Sequence, residues 1–119
     1  MDITFYTYPR CTTCRKAKKW LEEAGHTVNE VHLVDETPSA ETLKTLLDRS
    51  QLDIKKFFNT SGKVYRELGL KDRLADMSEE EKLALLSSNG MLIKRPITTD
   101  GEHVTVGFKE AEFENVWKA

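Results

Sequence analysis

Cysteine and proline are scarce in this chain of 119 residues, which holds two of the first and three of the second. Two cysteines exclude a scaffold stapled by disulfides, and a chain of this length buries a sizeable core without staples or metals. Long apolar runs are missing too: no stretch approaches the ~20 residues that span a bilayer. The opening Met1-Asp2-Ile3 has neither the basic flank nor the apolar stretch of a secretory signal, so the expected location is the cytoplasm, with no membrane partner. An excess of basic charge is also absent. The formal net charge is −2, and broad binding to nucleic acid, which needs a basic face to displace phosphate counterions, is not expected. Hydrophobic residues at 39% and charged residues at 32% describe a single globular domain spanning residues 1–119.

In a reducing compartment two cysteines point to catalysis, redox sensing or metal binding. Both fall in Thr7-Tyr8-Pro9-Arg10-Cys11-Thr12-Thr13-Cys14-Arg15-Lys16. Ile3-Thr4-Phe5-Tyr6 before it is β-branched and aromatic, as a strand should be, and Ala17, Trp20, Leu21 and Ala24 after it recur at helical spacing until Gly25. The loop therefore joins a strand to a helix that Thr12 or Thr13 can cap. Cys11 then stands at the helix N-terminus, where unpaired N–H groups and the dipole favour an anion, so its thiol should ionise more readily than a free cysteine. Cys14 lies inside the first turn, within reach of Cys11 but less open to solvent. One sulfur attacks and the other resolves. Arg10, Arg15, Lys16, Lys18 and Lys19 make the loop more cationic than the molecule around it, which suits a thiolate or an anionic substrate as well as a plain solvated helix face. Zinc would want about four ligands, and His26, His32 and His103 are scattered singly and read as surface residues. The pattern calls for no metal and no cofactor.

Farther along, Thr27 to Leu33 alternates as a second strand, completing a βαβ unit with parallel strands. Ser39 caps a helix carrying Leu43, Leu46 and Leu47. From about Ser50 to Asn89 no strand is expected: Leu52, Ile54, Phe57 and Phe58 cluster, Asn59-Thr60-Ser61-Gly62 turns, and Val64, Tyr65, Leu68 and Leu70 suggest one short helix. Ser78 with Glu81 forms a capping box ahead of Leu83, Leu85 and Leu86, and Asn89-Gly90 stops that helix. Residues 39–89 thus read as a helical insertion. A strand begins at Pro96 or Ile97, Asp100-Gly101 turns a hairpin, and Val104-Thr105-Val106 returns antiparallel. Lys109 to Trp117 is a last helix with Phe113, Val116 and Trp117 on one face, and Trp20 and Trp117 are expected in the core. The fold class is α/β and thioredoxin-like: β-α-β, helical insertion, β-β-α, on a mixed four-stranded sheet.

With these pieces in order, the chain resembles the family of ArsC-type arsenate reductases and Spx-type regulators. The likeness rests on Tyr6 to Ala17, on Tyr65-Arg66-Glu67-Leu68-Gly69-Leu70 and on Leu92-Ile93-Lys94-Arg95-Pro96-Ile97, and covers essentially the whole chain. The resemblance implies that Cys11 is the catalytic cysteine of the reductases or the first switch cysteine of the regulators, that Cys14 matches the regulators' second cysteine, and that Arg95 is the arginine beside the proline. It also implies a cis peptide bond before Pro96, which presents its neighbour's backbone to substrate. Arg10, Thr12, Thr13, Arg15 and Pro96 are the implied substrate contacts. Asn59 and Val106 stand near two positions where those reductases carry arginine, and arsenate wants several fixed donors, so arsenate is not expected to be an efficient substrate. The implied activity is thiol-dependent reduction through the Cys11/Cys14 pair, reset by glutaredoxin, thioredoxin or glutathione. The alternative is a redox-sensing regulator that binds the α subunit of RNA polymerase; Asp53 stands near a glycine which those regulators use in that contact.

Overall fold

Alternation decides which face the first strand buries: Ile3, Phe5 and Thr7 are buried, Asp2 is exposed, and Thr4 and Tyr6 lie between. In the computed structural model, which describes residues 1–118, the elements in chain order are β1 (Asp2–Thr7), α1 (Thr12–Glu23), β2 (Thr27–His32), α2 (Ala40–Ser50), α3 (Lys63–Glu67), α4 (Leu70–Arg73), α5 (Glu79–Ser88), β3 (Ile97–Thr99), β4 (Val104–Val106) and α6 (Glu110–Val116). Short 3₁₀ turns occupy Ile54–Phe57, Leu74–Asp76 and Gly90–Leu92. This is the expected α/β order with a mixed four-stranded sheet. No described helix is long and apolar enough to cross a membrane. The chain divides into two compact units, one formed by Met1–His32 with the residues from Arg95 onward, the other by Leu33–Lys94.

The first unit holds the whole sheet, in the order β2-β1-β3-β4. β2 runs parallel to β1, with Phe5 opposite Glu30 and Thr7 opposite His32; β3 is antiparallel to β1, with Phe5 opposite Thr98; β4 is antiparallel to β3, with Thr98 opposite Thr105. Ile3 and Phe5 form one core with Cys14, Ala17 and Leu21 of α1 and with Phe113 and Trp117 at α6. Burying each large apolar side chain contributes roughly 1.5–3 kcal/mol, which fixes α1 and α6 on the same face of the sheet. Trp117 is buried and donates its indole N–H to Thr105 Oγ1 at 3.0 Å. Trp20 lies only half-buried at the rim of this core, edge-on to Phe113 at 5.4 Å between ring centroids. Val116 does not join its expected partners: it is exposed while Phe113 and Trp117 turn inward. His26 is a second correction. It is not a surface residue but is buried at 7% exposure, because its Nε2 pairs with the Trp117 carbonyl.

In the second unit, Ser39 Oγ accepts the Thr42 N–H at 3.1 Å, and α2 buries Leu43, Leu46 and Leu47. The Ser78–Glu81 capping box opens α5 with both of its hydrogen bonds formed. Lys44 on α2 reaches Asp48 and Glu79, each at 2.9 Å. The single short helix expected over Val64 to Leu70 is two, α3 and α4, since Gly69 takes φ +62° and leaves Leu68 exposed. Leu52 is likewise exposed, while Ile54, Phe57 and Phe58 are buried. Asn59 to Gly62 forms the expected turn, with the Gly62 N–H donating to the Asn59 carbonyl at 3.0 Å. The unit contains no strand, only an isolated bridge between Phe58 and Ile93.

Gly90 approaches the Leu33 backbone so closely that a Cβ there would overlap the Leu33 carbonyl and lie 2.6 Å from its carbon. Backbone gives way less readily than a side chain, so Gly90→Ala should lower unfolding stability by about 1–3 kcal/mol in a denaturant titration. A variant as stable as the wild type would show that this approach is not tight.

Candidate active site

The turn between β1 and α1 is closed by the Cys11 N–H, which donates to the Tyr8 carbonyl at 3.0 Å. Cys11 takes extended backbone, φ −85° and ψ 112°, and is itself the N-cap of α1: its Sγ accepts the Cys14 N–H at 3.3 Å. The residue pattern alone assigns that role to Thr12 or Thr13. Both instead lie exposed inside the first turn, because the chain enters helical geometry one residue sooner. A sulfur at the cap faces the unpaired N–H groups of a helix 12 residues long, and the first turn holds no carboxylate to repel a negative charge on it.

The two sulfurs live in different surroundings. Both cysteines are free, Cys11 partly exposed and Cys14 buried. Burial, followed by the neighbouring Cys11 thiol, pushes the Cys14 thiol up to about 11, against lowering contacts from the Thr7 side chain and the Tyr8 backbone. At neutral pH Cys14 therefore keeps its proton. Cys11 is the sulfur that meets solvent.

Arg95 extends its guanidinium over the ring of Tyr8, 4.9 Å from the centroid, and Tyr8 stands three residues before Cys11. One of its nitrogens, Nη1, is buried with no hydrogen-bond partner among the described residues. A stacked guanidinium with an unpaired N–H is a ready donor for an anion. The peptide bond between Arg95 and Pro96 is cis, Pro96 is buried, and its carbonyl accepts the Gly107 N–H at 2.8 Å. Arg10, Arg15 and Lys16 are exposed. Lys18 is tied to Glu30 at 2.7 Å, which takes it out of the cationic patch.

A cavity of about 220 Å³ opens beside Cys14, walled in part by Thr7, Arg15, Lys18, Glu30 and His32. Sequence reasoning missed Glu30 and His32 here, and missed Tyr8 as the support for Arg95. The available signal was spacing: Glu30 and His32 are two apart on β2, and Cys14 and Lys18 are four apart on α1.

Likeness to known proteins runs over nearly the whole chain. The model of the ArsC family matches residues 6–116. The uncharacterized protein YusI of Bacillus subtilis (strain 168) is 65% identical over 98% of this chain and 99% of its own length. The regulatory protein MgsR of the same organism is 36% identical over 93% of this chain and 86% of its own length. The crystal structure of an ArsC family related protein from Bacteroides fragilis superposes with a TM-score of 0.92 at 49% identity, covering 97% of each chain.

Unfolding frees Cys14 to ionise in the ordinary thiol range near 9, whereas the folded protein holds its proton to about 11. The stability contributed by the neutral buried thiol is complete below pH 9 and is lost as pH rises toward 11. Between these limits the wild type should lose on the order of 2 kcal/mol more than Cys14→Ala in parallel denaturant titrations. Parallel curves for the two proteins would show that Cys14 is not desolvated.

Proposed function

The chain belongs to the ArsC family, and on that premise we propose that it is a thiol-dependent oxidoreductase of the reducing cytoplasm, with Cys11 as nucleophile and Cys14 as resolving thiol. The observation that carries the reading is the Cys14 N–H donated to Cys11 Sγ at the cap of α1, with the second thiol held protonated behind it. Cys11 attacks an external disulfide, or an oxidised anionic substrate, and forms a sulfur-bonded intermediate. Cys14 then loses its proton, attacks Cys11 Sγ and expels the reduced product, leaving a Cys11–Cys14 disulfide. Glutathione, glutaredoxin or thioredoxin supplies the two electrons that restore the thiols.

The unpaired Nη1 of Arg95 is the donor best suited to an anionic group on the substrate, with Arg10, Arg15 and the loop threonines Thr12 and Thr13 around the cysteine as further contacts, and Pro96 shaping the strand beside them. One guanidinium is few donors for an oxyanion with several charges. Asn59 and Val106 replace the other two arginines that the resemblance would supply, so arsenate itself is a poor candidate.

A second reading has a specific observation behind it: the 36% identical MgsR is named a regulatory protein. In that reading the same cysteine pair changes surface shape on oxidation, and the partner is the α subunit of RNA polymerase. A pull-down of the α C-terminal domain by reduced and oxidised protein separates the two. Oxidation-dependent capture together with absent turnover would favour the regulator.

The direct test is turnover of a model disulfide with each candidate reductant. Cys11→Ser should abolish it, Cys14→Ser should stall as a mixed disulfide visible by mass, and Arg95→Ala should slow anionic substrates more than neutral ones. Equal rates for wild type and Cys11→Ser would refute the catalytic role.

A further inference from the structure

In the cavity beside Cys14, two elements present reactive groups to one another. Glu30 and His32 lie on the same face of β2 as the core residues of β1 they pair with, and α1 packs on that face with Cys14 and Lys18 one helical turn apart. Lys18 Nζ lies 2.7 Å from Glu30 Oε1, and the other carboxylate oxygen lies 3.9 Å from His32 Nε2. Cys14 and His32 line the same space of about 220 Å³, and Cys11 is not among its lining residues. That volume holds several waters at roughly 30 Å³ each, with polar groups on two walls to bind them.

Resting on the oxidoreductase reading above, we propose that His32, held in place by Glu30 and Lys18, takes the proton from Cys14 through cavity water during the resolving step. A buried thiol held up to about 11 is ionised in only about one molecule in ten thousand at neutral pH, so resolution needs a proton acceptor. Imidazole is the side chain that changes protonation between about pH 5 and 8. The titratable and charged groups facing His32 are Glu30 on its own strand, Cys14, Arg15 and Lys18 on α1, and Tyr8 on the loop. Lys18 binds one oxygen of Glu30 and leaves the other turned toward the imidazole. The step balances. The proton passes from Cys14 Sγ to water and on to His32, the Cys14 sulfur bonds to Cys11 Sγ, and the bond from Cys11 to the substrate sulfur breaks with its electron pair leaving on the product thiolate. With the Cys11 proton already given to solvent before the first attack and the Cys14 proton resting on His32, two cysteine thiols become one disulfide and one substrate disulfide becomes two thiolates.

Dithionitrobenzoate reads both halves of this sequence on the full chain, because Cys11 attack releases one coloured thiolate and Cys14 resolution releases a second. His32→Gln should leave the first release unchanged and slow the second by about tenfold or more at neutral pH, in line with the usual contribution of a positioned base. The wild-type second phase should quicken as pH rises and the imidazole becomes free to accept a proton, and this dependence should vanish in the variant. A second release as fast and as pH-dependent as in wild type would overturn the assignment to His32. Equal slowing of both releases would also overturn it, since that marks a structural effect. Failure of the wild type to give a first release would instead remove the oxidoreductase reading itself, and this step with it.

Discussion

A single hydrogen bond, from the backbone N–H of Cys14 to the sulfur of Cys11, is the constraint on which the site depends. It turns a cysteine into the cap of its own helix. The same bond spends the first-turn donor that would otherwise go to a serine or threonine hydroxyl, and it aims the sulfur along the positive end of the α1 dipole. The residue that donates is also the second thiol of the pair. Position and partner are therefore fixed by one piece of backbone.

That bond holds only if the helix start is held, and the surrounding packing holds it. Ile3 and Phe5 on the central strand of the sheet, Ala17 and Leu21 on α1, and Phe113 and Trp117 at α6 bury one continuous core that includes Cys14. Trp117 is tied twice, through its indole to Thr105 and through its carbonyl to His26. Burial of Cys14 in this core has a chemical consequence beyond packing, since desolvation keeps its proton in place while Cys11 remains the partly exposed thiol of the two. In the proposed exchange reaction that asymmetry assigns the first attack to the sulfur with access to solvent.

Most of the fold was legible in the residues because its signals are local. The Ser39 and Ser78 caps, the C-x-x-C loop between a strand and a helix, and the Asp100-Gly101 hairpin each depend on side chains within a few positions. Asp100 Oδ1 accepts the N–H groups of Glu102 and His103, which closes that turn from within. The failures were of another kind. His26 looked like a surface histidine, and its burial depends on a carbonyl 91 residues away. The split between α3 and α4 follows from a left-handed glycine that helical periodicity does not register. Thr12 and Thr13 are the textually better caps, yet a thiol took the position. Within the candidate site, the cysteines and Arg95 were proposed from motif alone, whereas the Tyr8 ring beneath Arg95 and the Glu30–His32 wall required the strands to be placed first.

The central claim is that Cys11, and not Cys14, is the nucleophile. It is tested most directly by limiting alkylation of the reduced wild-type protein with iodoacetamide at neutral pH, followed by mass mapping of both cysteines. The account predicts that nearly all label falls on Cys11 while Cys14 stays unmodified until the protein is unfolded. Label divided equally between the two, or concentrated on Cys14, would contradict it.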